Sequence, residues 1–360
     1  RDGRGSDVLE AKLHEHVSKA PAVIQRAFSD ASGVGEDFVP DLLLPELRKK
    51  LYVPTALEAA FPSFNMPGKE VRFPFSTGKV APFLKNAATW TAITAMDDTT
   101  SQISATAKSF GARITADEDT VADSVVPALD YFRDSLTTAL QAGVESAILN
   151  SDTTDAHADL HTTASPRLWS EGGRWDTSSV ASTAADHRRS FIGLRAAAYD
   201  ASTGRDAAAM SYADILKTRA TLDSGYQAAD ELLMIVSPIV MTKYLLQLTQ
   251  TATLDKFGQA AGILNGSIAK IGGVDIIVSG AMTDDLSASG VYDGSDTDHT
   301  GYVIVHRPSW VMGNYKPQTI DIDREITKGQ IEIVGTRRCT LIDMSNGAKS
   351  VAYGYNVEKA

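Results

Sequence analysis

The stretch from Asp117 to Asn150 constrains the fold most. Leu129, Phe132, Leu136, Leu140, Val144 and Ile148 recur at intervals of three or four, which lines them along one face of an α-helix. The opposite face carries Asp130, Arg133, Asp134, Thr138, Gln141 and Glu145 and reads as wet, with Asp130 and Arg133 spaced as an i,i+3 ion pair. Ser124 is placed to cap the N-terminus, and Pro127 falls in the first turn, where a missing N–H forfeits no intrahelical bond. The spacing therefore predicts a helix from Val125 to Asn150, roughly 39 Å long at ~1.5 Å per residue and well over twice the average length. With one narrow apolar stripe it would serve as a beam, and the acidic cluster Asp117, Glu118 and Asp119 leads into it.

Ahead of that helix the period changes from helical to alternating. Glu70 to Phe75 places Val71, Phe73 and Phe75 on one face, and Gln102 to Thr115 alternates again, first through Ile103, Ala105 and Ala107, then through Phe110, Ala112 and Ile114. The change of phase falls beside Gly111 and predicts a β-bulge there. Between the strands lie about 25 residues that include Gly78, Lys79, Pro82, Phe83, Lys85, Asn86 and Trp90, too many for a tight hairpin turn. A two-stranded ribbon is marginal in water by itself. The excursion carrying Phe83 and Trp90 is therefore expected to find its partner on another subunit.

The remainder is less uniform. Residues 1–40 read as an arm, because thin apolar positions, Pro21 and Ser32-Gly33-x-Gly35 cannot bury enough surface alone. A short helix is expected at 41–51. Residues 151–186 are polar and loop-like, yet Trp169 and Trp175 within them suggest an ordered surface or interface loop. From about 187 the pattern becomes α/β. Helices are expected at Ser190–Tyr199 and Ser211–Leu222, and a buried strand at Leu232–Val236. Ser237 and Pro238 then open another helix, and Ile268–Ile271, Gly272-Gly273 and Val274–Val278 read as strand, turn and strand. After a polar loop at 281–300, strands are expected at Tyr302–Val305, Thr319–Ile326, Gln330–Val334 and Cys339–Ile342.

Composition bounds the function. A chain of 360 residues exceeds one typical core, so two or more structural units are expected. The single cysteine, Cys339, rules out an internal disulfide framework and fits a reducing compartment. No apolar run approaches the ~20 residues of a membrane-spanning helix and no signal peptide opens the chain, so a soluble protein is expected. A net charge of −11 argues against gripping a phosphate backbone. The charge is uneven: residues 97–160 hold 12 acidic and 3 basic side chains, whereas 301–360 hold 6 and 8. Such regions suit contacts between copies of one chain, and solvated faces explain them equally.

No catalytic pattern stands out. Asp155, His157, Asp159 and His161 would have ligand-competent spacing on a helix, but the segment reads as an irregular loop, and no metal or cofactor is expected. His187-Arg188-Arg189 has two readings, a phosphate contact and, in preference to it, a solvated dibasic start to a helix. Gly262, Gly266, Gly272 and Gly273 lack the Lys-Ser/Thr end of a phosphate loop and the spacing of a dinucleotide fingerprint, and no Gly-x-Ser-x-Gly elbow exists. Cys339 reads as a small buried apolar group.

The order of elements resembles the major capsid proteins of tailed double-stranded DNA bacteriophages, the Hong Kong 97-type fold. The likeness rests on an N-terminal arm, a long extended loop, Asp123-Ser124 before a spine helix, and that helix ending in Ala147-Ile148-Leu149-Asn150-Ser151-Asp152. It continues through Leu233–Val236 before Ser237-Pro238 and Ile271-Gly272-Gly273-Val274 before Ile277-Val278-Ser279, and ends with strands around Arg324 and Arg337-Arg338. Family members more often carry Gly where Ser151 stands. The resemblance implies an α+β fold divided into an arm and short helix (1–60), an extended β-hairpin loop (61–116), a peripheral domain with the spine helix (117–186), an α/β axial domain (187–310) and return strands of the peripheral domain (311–360). It implies no enzyme, but a subunit that assembles into hexamers and pentamers of an icosahedral shell around double-stranded DNA, without sequence-specific binding and without a membrane. Portal, scaffolding and decoration proteins would be its partners, and the virion, assembled in host cytoplasm, its location. Candidate intersubunit contacts are Lys79, Phe83, Lys85, Asn86, Trp90, Trp169 and Trp175. The alternatives are an encapsulin-type nanocompartment shell, which shares the fold, and a soluble α/β hydrolase or metalloenzyme resting on His157 and His161.

Overall fold

The computed structural model describes residues 57–76, 78, 99–122, 124, 128–153, 168–169, 175–176, 187–208, 210–248, 270–291 and 298–359. In chain order the elements are α1 (Leu57–Ala60), β1 (Ser63–Asn65), β2 (Glu70–Ser76), β3 (Thr100–Thr106), β4 (Lys108–Asp117), α2 (Glu118–Ala122), α3 (Ala128–Asn150), β5 (Leu168–Trp169) and β6 (Trp175–Asp176). There follow α4 (Leu194–Asp200), β7 (Gly204–Asp206), α5 (Tyr212–Arg219), β8 (Leu232–Val236), α6 (Pro238–Lys243), β9 (Lys270–Ile271), β10 (Val274–Val278), β11 (His299–His306), β12 (Trp310–Glu325), β13 (Gln330–Asp343) and β14 (Val351–Glu358). The strands form a four-stranded sheet in the order β1-β12-β13-β4, a six-stranded sheet in the order β7-β14-β11-β8-β10-β9, the ribbon β2-β3 and the short hairpin β5-β6. The expected arm and the helix at 41–51 lie outside the described residues.

Helix α3 is the expected beam, with a difference in its second half. Residues 125–127, including Pro127, lie outside the described residues, and the 23 described residues from Ala128 span roughly 34 Å at ~1.5 Å each. Its first turns are amphipathic, and Asp130 and Arg133 approach to 4.0 Å at an exposed pair of little energetic weight. From Val144 to Asn150 the helix is buried on every side. Glu145, expected on the wet face, is 4% exposed; its carboxylate accepts from the Leu57 N–H at 3.0 Å and the Ser279 hydroxyl at 3.1 Å. A buried carboxylate needs such donors. α3 lies across β4 and β13, and Gly335 permits the close approach, since a Cβ there would come within 2.9 Å of Leu140.

The phase change at 102–115 is real, but its cause is not a bulge at Gly111. β3 belongs to the ribbon, whereas β4 pairs with β13 in unbroken register from Lys108↔Cys339 to Asp117↔Gln330. The chain leaves one sheet for another at Ala107, which is buried and donates its N–H to Lys69 at 2.8 Å. The irregular register falls instead in β12, between Asn314 and Thr319, around Pro317, which has no N–H to give. The three late strands expected at 319–326, 330–334 and 339–342 are one long hairpin, β12 with β13.

The six-stranded sheet is buried on both faces, which is why β8 reads as an unbroken apolar run. Leu233 and Ile235, with Val303, Val305, Val351 and Tyr353, face the core shared with α3; Leu232, Met234 and Val236, with Ile304 and Ala352, face a second core under α5 and α6. Ser237 caps α6 through the Val240 N–H, with Pro238 at the first position. Gly272 and Gly273 both take positive φ, 57° and 85°, as the two-residue turn requires. Strand β14 was not anticipated. It pairs with β11 and β7, so 311–360 divides between the sheets, β12 and β13 in one and β14 in the other.

Helix α5 opens on a capping box in which the Ser211 hydroxyl accepts from the Asp214 N–H and Asp214 reaches back. The Ser211 side chain chiefly holds the Asp214 carboxyl below its ordinary value of 3.8. Ser211→Ala should cost about 1 kcal/mol in urea melts. A depressed carboxyl stabilises above its unfolded pKa, so the difference from wild type should shrink as pH falls below 3.8. A difference unchanged down to pH 2 would show that the cap acts without the charge.

Candidate assembly surfaces

The C-terminal end of α3 is a buried polar junction. Arg195, 4% exposed, donates to Asn150 Oδ1 at 2.7 Å, the Gly290 carbonyl at 2.7 Å and Thr283 Oγ1 at 3.4 Å, and its guanidinium sits 5.4 Å from the centre of the Tyr353 ring. Asn150 donates in turn to the Ala281 carbonyl at 2.8 Å. One cation thus ties α3, α4, the 281–290 loop and β14. Beside it Ser151 is fully buried, donates to the Arg188 carbonyl at 2.7 Å and accepts the Phe191 N–H at 3.3 Å. Gly193 packs so tightly that a Cβ would lie 2.8 Å from Ser151 N and 2.9 Å from the Ala147 and Ser151 carbonyl oxygens. Arg188, read from sequence as solvated, is fully buried in the turn His187–Arg189.

The ribbon pairs Glu70↔Thr106 through Ser76↔Thr100, as the alternation required, and Phe73 meets Phe64 edge-on at 5.6 Å. At its base opens a cleft of about 590 Å³ lined by Ile103, Phe191, Ile192, Trp310, Leu341 and Val351. Lys79, Phe83, Lys85, Asn86 and Trp90 lie outside the described residues. Trp169 and Trp175 stand directly opposite each other in the β5-β6 hairpin.

The distal half of β12-β13 forms the second surface. Register places Asp321, Asp323 and Glu325, with Glu332 and Asp117, on one face and Ile320, Ile322, Ile331 and Ile333 on the other. Arg113 pairs with Glu332, and Arg324 with Glu118 of α2. β1 reaches only Met312–Asn314, so β12 beyond Asn314 is an open edge among the described residues, and Ile326 at the tip is 82% exposed. At the other end, Arg337 pairs with Glu58 and also donates to Asn314, which locks α1 onto the sheet and holds the guanidinium pKa above its ordinary value.

Of the chemistry-bearing residues, Asp155, His157, Asp159 and His161 lie outside the described residues; among those described, no group of three or more His, Cys, Asp or Glu is placed to hold a metal. No described helix is long and apolar enough to cross a membrane. One constellation escaped the sequence. His306 lies 2.7 Å from Ser309 Oγ through Nδ1 and 2.9 Å from Glu231 Oε2 through Nε2. Ser309 is 7% exposed, and neither Ser309 nor His306 lines the cleft at the ribbon base; the trio braces the turn after β11. Cys339 is fully buried, and burial pushes its thiol pKa up to about 12. It should therefore resist maleimide until the chain unfolds. Because the unfolded thiol ionises first, it should also subtract stability as pH rises from 9 towards 12, relative to Cys339→Ala. Rapid native labelling would contradict the burial.

No protein-family model and no curated protein sequence matches the chain. Solved structures do. The capsid of a native GTA particle matches with 13% identity over 92% of this chain and 99% of its own, at a TM-score of 0.57. A structure from Mycobacterium phage Cain matches with 14% identity over 91% and 98%, at 0.58. The chain has the Hong Kong 97-type capsid fold. The capsid of cyanophage P-SCSP1u agrees, with 11% identity over 93% and 98% and a TM-score of 0.57. Among the described strands, β4 and β13 lie against the long helix with β12 beside them in the same sheet, and β14 lies between β7 and β11 in the other.

Proposed function

We propose that the chain is the major head subunit of a tailed bacteriophage or phage-derived particle, assembling into hexamers and pentamers of an icosahedral shell around double-stranded DNA. The observation that carries this reading is the match of nearly the whole chain to nearly the whole length of particle capsids. The two-stranded ribbon β2-β3 supports it, since such an element gains stability from a neighbour. An acidic subunit suits a container that encloses DNA without gripping it. Lys79, Phe83, Lys85, Asn86 and Trp90, in the sequence between β2 and β3, with Trp169 and Trp175, are the proposed intersubunit contacts. The role is structural, with no cofactor, and the virion is its location; portal, scaffolding and decoration proteins are its proposed partners. Light scattering and electron microscopy of purified protein test it: closed shells with nuclease-protected DNA are expected. A compact monomer or dimer would overturn it, and shells filled with a protein cargo would assign the chain to a nanocompartment instead.

A further inference from the structure

The turn that joins β13 to β14 carries Asn346 followed by Gly347, both exposed and both at positive φ, 54° and 80°. Asparagine and glycine tolerate that backbone better than other residues, which accounts for their presence in the turn. It leaves open what chemistry the pair brings with it. An asparagine side-chain amide lies one five-membered ring away from the backbone nitrogen of the next residue. A side chain on that next residue obstructs the ring closure, and glycine has none.

Other asparagines differ. Asn150 is 5% exposed and held by Arg195 and the Ala281 carbonyl. Asn314 accepts from Arg337 and precedes Tyr315, and Asn356 donates to Asp206 at 2.9 Å and precedes the fully buried Val357. Asn346 donates to Ser101 Oγ at 3.4 Å, and the Gly347 N–H points to Asp343 Oδ2 at 3.4 Å, both longer than a good hydrogen bond. The side chain is thus lightly held, and a proton acceptor stands beside the Gly347 nitrogen. We infer that Asn346-Gly347 is a self-modifying turn. The Gly347 nitrogen attacks Asn346 Cγ and gives up its proton, the bond to the side-chain nitrogen breaks, and ammonia leaves. Water then opens the resulting succinimide at either carbonyl to give aspartate or isoaspartate at 346. One water enters and one ammonia departs, so no oxidant, metal or second enzyme is needed. The isoaspartate form adds a methylene to the backbone of a turn whose flanks bind the start of β12. There the Met344 N–H donates to the Ser309 carbonyl and the Ser350 carbonyl accepts the His306 N–H, both at 2.8 Å. The inference goes beyond the shell reading and does not depend on it.

Ageing the purified full-length protein in mildly alkaline buffer, followed by acid-side digestion and peptide mass spectrometry, tests it. The peptide holding Asn346 should gain the mass of an acid over an amide and split into two chromatographic forms, while those holding Asn314 and Asn356 stay unchanged. Gly347→Ala, which restores an obstructing side chain, should slow the conversion about tenfold. Methyl-transfer labelling of isoaspartate in the aged wild type should mark the same peptide, and it decides the matter if Gly347→Ala fails to fold. An amide that stays intact in the folded protein yet converts in the urea-unfolded chain overturns the inference, because the turn then shields it. Aspartate formed without isoaspartate overturns the succinimide route as well.

Discussion

Replacing residues 77–99 by a Gly-Ser turn should leave a folded subunit that no longer closes shells. The ribbon keeps its pairs from Glu70↔Thr106 to Ser76↔Thr100. Among the described residues the two large cores stand on other elements: one is built from α3, β4, β13 and the six-stranded sheet, the other from that sheet with α5 and α6. What disappears is the segment bearing Phe83 and Trp90, each worth roughly 1.5–3 kcal/mol when buried, once per subunit over the whole shell. Circular dichroism should report an unchanged fold and electron microscopy the loss of particles. Particles of normal size and heat resistance would show that the segment is no clamp between subunits. Unfolding would place it in its own subunit's core.

Arg195→Met should be strongly destabilising, costing roughly 2–5 kcal/mol at about 1–3 kcal/mol for each buried acceptor left without a donor. Methionine matches the length of the chain but leaves Asn150 Oδ1 and the Gly290 carbonyl without their charged donor, both in a buried site. That is a large part of the ~5–15 kcal/mol by which domains are stable. Asn150→Ala removes one partner and leaves the guanidinium its others, so a smaller loss of about 1–3 kcal/mol is expected. Equilibrium urea melts measure both. A loss under about 1 kcal/mol for Arg195→Met would mean that apolar packing alone holds α3, α4 and β14 together.

What could be read from the chain by itself were the features set by local pattern. The stripe Leu136, Leu140, Val144 and Ile148 repeats with the helical period, and all four are buried. The alternation of Val71, Phe73 and Phe75 fixed a strand face, Ser237-Pro238 a helix start, and Gly272-Gly273 a turn needing positive φ. Each depends on neighbours within a few residues, so the sequence determines it directly. The candidate surfaces were legible only in part: the ribbon's base is where alternation placed it, whereas the polar junction at the end of α3 was not foreseen. Glu145 looked solvated because helical period assigns it to the polar face, and only the arrival of Leu57 and Ser279, distant in sequence, buries it with donors. The same holds for Arg188, for the His306 trio, and for β14, whose place beside β11 in the six-stranded sheet depends on pairing across the chain. A polar side chain carries no mark of whether water or a remote segment will satisfy it, so that choice belongs to the tertiary structure, where desolvation makes an unsatisfied group costly and selects the arrangement that pairs it.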